Sequence, residues 1–169
     1  MGMLGQYTHG NETDRHAAYL YTYGGAAWKT QARVAELRRL FHRPTTGGLS
    51  GNEDLGMMSN WHPFSAMDFY PAQPEIGVHA IGSPLFERVT VHLSETVYGG
   101  GDLVIEAPGV SAKNVYIQSA TLDGQSLTRA WFRHEDLVGS AHFVFRMGPA
   151  PNPDWGAAEP PPSLTPARP

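Results

Sequence analysis

Apolar and polar residues alternate with two different periods along this chain, and the change falls near residue 71. Before it, apolar residues recur every three or four positions, the spacing of one helix face. Residues 26–41, AAWKTQARVAELRRLF, give the clearest case. Trp28, Ala32, Val34, Ala35, Leu37 and Phe41 fall near one face, and Lys29, Arg33, Glu36, Arg38 and Arg39 lie mostly on the other. That basic face is expected to be solvated, and Pro44 stops the helix. A shorter helix is predicted over residues 15–23, capped by Thr13 or Asp14 and ended by Gly24 and Gly25. A third is predicted from Asp54 to about Phe69. Pro63 lies inside it, removes one hydrogen bond, and predicts a kink near Ser59 or a break.

After residue 71 the period becomes two. Val89, Val91 and Leu93 alternate with polar neighbours and predict a strand with those three inward. Leu103, Ile105 and Ala107 do the same, as do Val115, Ile117 and Ser119. Asp123-Gly124 is a two-residue hairpin signal, with a return strand over 127–132 and a final strand marked by Phe143, Phe145 and Met147. Residues 134–137 read as a helical turn. The predicted class is α+β: a helical segment, residues 1–72, then a small antiparallel sheet or sandwich, residues 73–150. Residues 151–169 are Pro-rich and predict a disordered tail. Three short helices and one sheet do not cover all their apolar faces, which points to missing structure or association with another chain.

Composition narrows the function. The 169 residues carry 12 basic and 16 acidic side chains, with no basic block, so nucleic acid is not an expected partner. Cysteine is absent, which removes disulfides and thiolate metal sites. No apolar run approaches the roughly 20 residues of a membrane span. The first residues, MGMLGQYTHGNE, have no charged or apolar leader pattern, so no signal peptide is expected there.

Two polar stretches carry candidate chemistry. In residues 47–71, GGLSGNEDLGMMSNWHPFSAMDFYP, a Gly-rich turn presents Asn52, Glu53 and Asp54 just before the apolar run. Acidic residues there cap a helix, whose first N–H groups have no partners. Equally, they set a carboxylate at a cleft rim. Near the N-terminus, His9, Asn11, Glu12 and His16 lie among four tyrosines. That stretch is either polar surface beside a packed aromatic helix or a loop that binds a metal or a sugar.

Four blocks together resemble glycoside hydrolase family 92, the calcium-dependent α-mannosidases. They are HGNETDRHAAYLYTYGGAAWKTQ (9–31), the 47–71 stretch, IGSPLFERVTVHL (81–93), and the end from NVYIQSATLDGQSLTRAWFRHEDLVGS to FRMGPAPNPDWG. Order and spacing hold from about residue 7 to 156. The resemblance implies enzymes several times longer, with an N-terminal β-sandwich and an (α/α)6 barrel around the active site. This chain would supply the last barrel helices and the terminal strands. It implies an inverting exo-α-mannosidase acting on α-mannosides, including N-glycans. Asp54 matches the family's general base, Asn52 the position that helps orient the water, and Glu53 is the fallback carboxylate. Asn11 and Glu12 match calcium ligands, the ion holding mannose O2 and O3, and His9 and His16 would line the sugar pocket.

Departures from the family pattern include Thr13 for Pro, Arg15 for the first His of a pair, and Asn60, His62, Pro63 and Asp68 in the central block. The family's general acid lies upstream of the matched region, so the chain alone is expected to be inactive without that portion in cis or in trans. The competing expectation is a non-catalytic remnant that binds carbohydrate or protein. The family is usually secreted or periplasmic, and the sequence leaves the compartment open.

Overall fold

The computed structural model describes residues 2–163. A two-stranded hairpin, β1 (Met3–Leu4) and β2 (Tyr7–Thr8), opens the chain. Short 3-10 turns at Glu12–Asp14 and Ala17–Tyr19 lead into α1 (Leu20–Tyr23), α2 (Ala27–Phe41) and α3 (Met57–Ala66). Then come β3 (Phe69–Gln73), β4 (Val78–Ile81), β5 (Arg88–His92), α4 (Glu95–Tyr98), β6 (Asp102–Glu106), β7 (Tyr116–Leu122), β8 (Gln125–Ser126), β9 (Trp131–Arg133) and β10 (Ala141–Gly148). The described residues form a mixed α+β structure of four helices and three small sheets, none of them closed.

The five-stranded sheet runs β5-β6-β10-β7-β8. It is not wholly antiparallel, as the alternation had led one to expect, because β10 lies parallel to β6. A parallel pair needs a long crossover, and the chain between β6 and β10 provides it. Leu103, Ile105, Ala107, Ile117, Phe143 and Phe145 fill the inner face, and Val89, Val91 and Leu93 pack against it half-buried. Ser119 points outward, against the expected alternation. The β7/β10 register shifts between Arg146 and Met147, and a bulge of this kind flips the faces beyond it. Asp123 and Gly124 both have positive φ, as a two-residue turn of this hand requires. The expected return strand over 127–132 does not form as one piece. Gln125–Ser126 pairs back on β7, with one more bond from the Leu127 N–H to the Ala120 carbonyl at 2.9 Å, while β9 leaves to join β4 in the sheet β3-β4-β9.

α2 is rotated from its predicted face. Thr30, Gln31 and Arg38 are buried, while Trp28, Ala32 and Ala35 are only half-buried. The reason is polar. Gln31 Oε1 accepts the Ile117 N–H at 3.0 Å, and the Arg38 guanidinium donates to the carbonyls of Ser65, Ser83 and Pro84. A guanidinium can satisfy several carbonyls at once and so can be buried where a lysine could not. Arg38 therefore belongs to the interior and not to the solvated basic face.

The expected boundary at residue 72/73 falls inside β3, and Phe64 packs against both hydrophobic clusters. Residues 151–163 are not loose. Trp155 is buried in the sheet core and its Nε1 donates to the Leu127 carbonyl, while Trp131 Nε1 donates to the Glu159 carbonyl. Residues 164–169 of the predicted tail lie outside the described residues.

Candidate active site

Two loops build the site, and they meet at Gly10 and Gly51. A Cβ on Gly10 would lie 2.9 Å from Gly51 Cα, and a Cβ on Gly51 would collide with the Gly10 carbonyl. Gly51 also has φ +78, a conformation that favours glycine. The backbones thus cross without a side chain between them. One loop continues into Asn11 and Glu12, the other into Asn52, Glu53 and Asp54.

The second loop does not enter its helix as predicted. Asp54 and Leu55 both have positive φ, and Gly56 at φ +84 is the N-cap, so α3 starts at Met57. The helix runs through Pro63 as a single element and ends at Ala66, short of Phe69. The neighbouring acids divide the two roles the sequence left open. The Glu53 carboxylate accepts the Ser59 hydroxyl at 2.6 Å and the Ser59 N–H at 3.2 Å, so it closes the helix start. Those bonds hold its pKa below the ordinary carboxylate value. The Asp54 carboxylate makes no such bond.

Asp54 instead lines a cleft of about 430 Å³ with Glu12, Leu55, Met57, Asn60, Trp61, Phe64, Tyr70, Pro71 and Pro74. Two exposed carboxylates without hydrogen-bond partners therefore face one pocket with aromatic walls. A larger hollow, about 670 Å³, lies on the outer face of the five-stranded sheet. There Asp102 is paired with His92, and Asp123 accepts the His142 backbone N–H at 2.8 Å. Both of its acids are engaged by neighbours, whereas those of the smaller cleft are not.

The other predicted residues are placed differently. Asn52 is exposed and does not line the cleft. Asn11 is exposed beside Glu12, its amide nitrogen donating to Thr13 Oγ1. His16 is half-buried and not in the cleft wall. His9 is fully buried behind that wall. Its Nδ1 meets the Tyr7 hydroxyl and its Nε2 meets His42 Nε2, each at 2.8 Å. Trp61 stands edge-on to His9 and stacked on His42, and its indole N–H donates to the Arg15 carbonyl. Burial, with the neighbouring imidazole and Arg15, lowers His9 to about 3. Burial, with His62 and two arginines nearby, lowers His42 to about 4. Both rings are neutral packing groups near pH 7.

Sequence reasoning did not single out Trp61, Phe64 and Tyr70 as site residues. Met57, Trp61 and Phe64 at spacings of four and three mark one helix face, and that signal was available. Among the described residues no group of three or more His, Asp or Glu side chains is arranged to hold a metal ion.

The family model described as the glycosyl hydrolase family 92 catalytic domain matches residues 1–149. The chain belongs to glycosyl hydrolase family 92. A family GH92 α-mannosidase from Bacteroides thetaiotaomicron, solved in complex with mannoimidazole, is 33% identical with a TM-score of 0.91, covering 97% of this chain and 21% of that one. A family GH92 inverting mannosidase from the same species is 40% identical with a TM-score of 0.82, covering 90% and 20%. An uncharacterized secreted glycosidase of Arthroderma benhamiae is 32% identical over 159 residues, 92% of this chain and 20% of its own length.

This family 92 chain thus spans about a fifth of the relatives it matches. One departure from the family pattern has a structural cost. Asp68 sits at φ +92, fully buried, with neither carboxylate oxygen bonded. Burial, only partly offset by the Arg38 charge and the nearby Gly82 N–H, raises its pKa well above the ordinary value.

Proposed function

We propose that this chain is the C-terminal part of an inverting α-mannosidase, in which Asp54 is the general base. The observation that carries this reading is the free Asp54 carboxylate, set with Glu12 in one cleft walled by Trp61, Phe64 and Tyr70. Support comes also from the relative that binds mannoimidazole. Asp54 removes a proton from a water, whose oxygen bonds to the anomeric carbon on the face opposite the departing group. The bond from that carbon to the glycosidic oxygen breaks, and the oxygen takes a proton from an acid supplied by the rest of the catalytic domain. Inversion requires the two carboxyls to stand roughly 6.5–9.5 Å apart. The acid therefore lies across the cleft, in the portion that supplies the rest of the (α/α)6 barrel and the sandwich. The aromatic walls present apolar faces to the sugar ring and keep bulk water off the reacting carbon. Glu53 holds the loop against the first turn of α3, which fixes the direction of Asp54.

The donors at the cleft rim suit calcium. Asn11 and Glu12 are adjacent, exposed and offer hard oxygens, and the Glu12 carboxylate is not committed elsewhere. They suit two of the 6–8 oxygen positions calcium takes and leave the rest to the sugar and to other parts of the enzyme. Bound there, the ion would hold neighbouring sugar hydroxyls and stabilise a distorted ring.

The test is reconstitution. Placed in the α-mannosidase relative in exchange for the matching fifth, this chain should hydrolyse an aryl α-mannoside, release β-mannose first by NMR, and lose activity with a calcium chelator. A folded chimera without turnover, yet stabilised by mannoimidazole, would favour the carbohydrate-binding remnant.

A further inference from the structure

The cleft is short of hydrogen-bond donors. Glu12 and Asp54 supply carboxylates, and an ionised carboxylate only accepts. The Tyr70 hydroxyl is committed to Met57 Sδ at 3.4 Å, and the Trp61 indole N–H to the Arg15 carbonyl. Asn60 is left. Among the described residues lining the cleft it is the one side chain with free N–H donors, exposed and with only its backbone N–H engaged, by the Gly56 carbonyl. A sugar hydroxyl both donates and accepts. Either carboxylate can take its hydrogen, but of these side chains only Asn60 can give one to its oxygen.

The helix sets where that donor points. Met57, Asn60, Trp61 and Phe64 fall at i, i+3, i+4 and i+7 of α3, and all four line the cleft. Asn60 Nδ2 stands 3.3 Å from where a Cβ on Gly56 would lie, so the amide sits beside the loop that carries Asp54. In the proposed reaction the leaving group departs on the face away from Asp54. The amide therefore borders the mannosyl ring and not the aglycone. No local structural reason places an asparagine here. It lies inside the helix, where it is a poor helix former, and it caps neither end. It is also one of the departures from the family pattern. We infer that Asn60 is a specificity-determining residue, its amide donating to a hydroxyl oxygen of the mannosyl ring. The inference rests on the proposed function, which supplies the sugar and its orientation.

The test is read first as binding, so that it does not depend on the base. Mannoimidazole is titrated by calorimetry into the chimera carrying D54N, with Asn60 kept or changed to N60A or N60D. Each change raises Kd about three- to ten-fold, the weight of one neutral hydrogen bond. N60D is the sharper of the two, since it keeps size and acceptor and loses only the donor. With Asp54 restored, N60A lowers kcat/KM for an aryl α-mannoside by a similar factor. That loss vanishes for the one monodeoxy mannoside lacking the contacted hydroxyl and persists for the others. The melting temperature of the isolated chain is unchanged by N60A. An unchanged Kd in N60D, an equal N60A loss on every monodeoxy substrate, or a lower melting temperature in N60A would overturn the inference. Should the chimera fail to fold, asparagine, alanine and aspartate compared at the superposed position of the intact bacterial enzyme give the same reading, and equal Kd values there overturn it. A chimera without turnover in which N60A and N60D still weaken mannoimidazole keeps Asn60 and sinks the base assignment instead.

Discussion

Gly10 and Gly51 cross backbone to backbone, and this crossing brings Glu12 and Asp54 into one cleft although they come from separate loops. Gly51→Ala adds a methyl against the Gly10 carbonyl and forces an L residue into a left-handed conformation. The substitution should cost about 2 kcal/mol or more, read as a melting temperature lower by about 4–8 °C for a chain of this size. Gly47→Ala, where nothing lies within 4 Å, should be neutral.

Glu53 and Asp54 should separate by stability alone. Glu53→Gln weakens two bonds to Ser59 and should lower the melting temperature of the isolated chain. Asp54→Asn removes no bond and should leave it unchanged. Thermal melts of the two variants, side by side, decide whether their roles have been assigned in the right order.

Asp68→Gly should stabilise the protein. Glycine adopts φ +92 without strain, and the change removes a buried carboxyl whose oxygens have no partner. Together these should contribute about 1–3 kcal/mol. Denaturant unfolding measures it, and a loss of stability would mean that Asp68 is an essential counter-charge for Arg38.

Acid should unfold the chain. His9, His42 and His79 have folded pKa values of about 3, 4 and 4, His79 mainly through burial beside His134. The unfolded imidazoles take up protons near pH 6.5, so their contribution is complete above that value and is lost as pH falls towards 4. Asp68 acts with the opposite sign, since its raised pKa lets the folded form keep a proton that the unfolded one has lost. Burial and Arg38 lower His62 as well, so the histidines outnumber the one opposing carboxyl and stability should fall as pH drops from about 6.5 towards 4. Urea midpoints over that range check the sign.

Much of the architecture was legible because it is local. The span of α2, the Asp123-Gly124 turn and the inward residues of β5 and β6 follow from spacing within a few positions. What was not legible depends on distant partners. The burial of Arg38 needs the carbonyls of Ser65, Ser83 and Pro84, and the parallel β6/β10 pair needs the whole crossover. Trp155 docks on a strand core formed far earlier in the chain, which Pro-rich composition does not reveal. At the site, the motif resemblance singled out Glu12 and Asp54, which share the cleft. It gave no hint that His9 lies behind the wall, because burial of a polar loop residue depends on Phe41, His42 and Trp61 closing over it.

The central claim is that Asp54 activates the water. It is tested most directly by kcat for an α-mannoside in the reconstituted enzyme, with Asp54→Asn and Glu53→Gln compared against the unaltered protein. Loss of a general base predicts a fall of about 10²–10⁴-fold for Asp54→Asn, with Glu53→Gln retaining turnover near the unaltered rate. An Asp54→Asn enzyme as fast as the unaltered one, or a larger loss at Glu53, would contradict it.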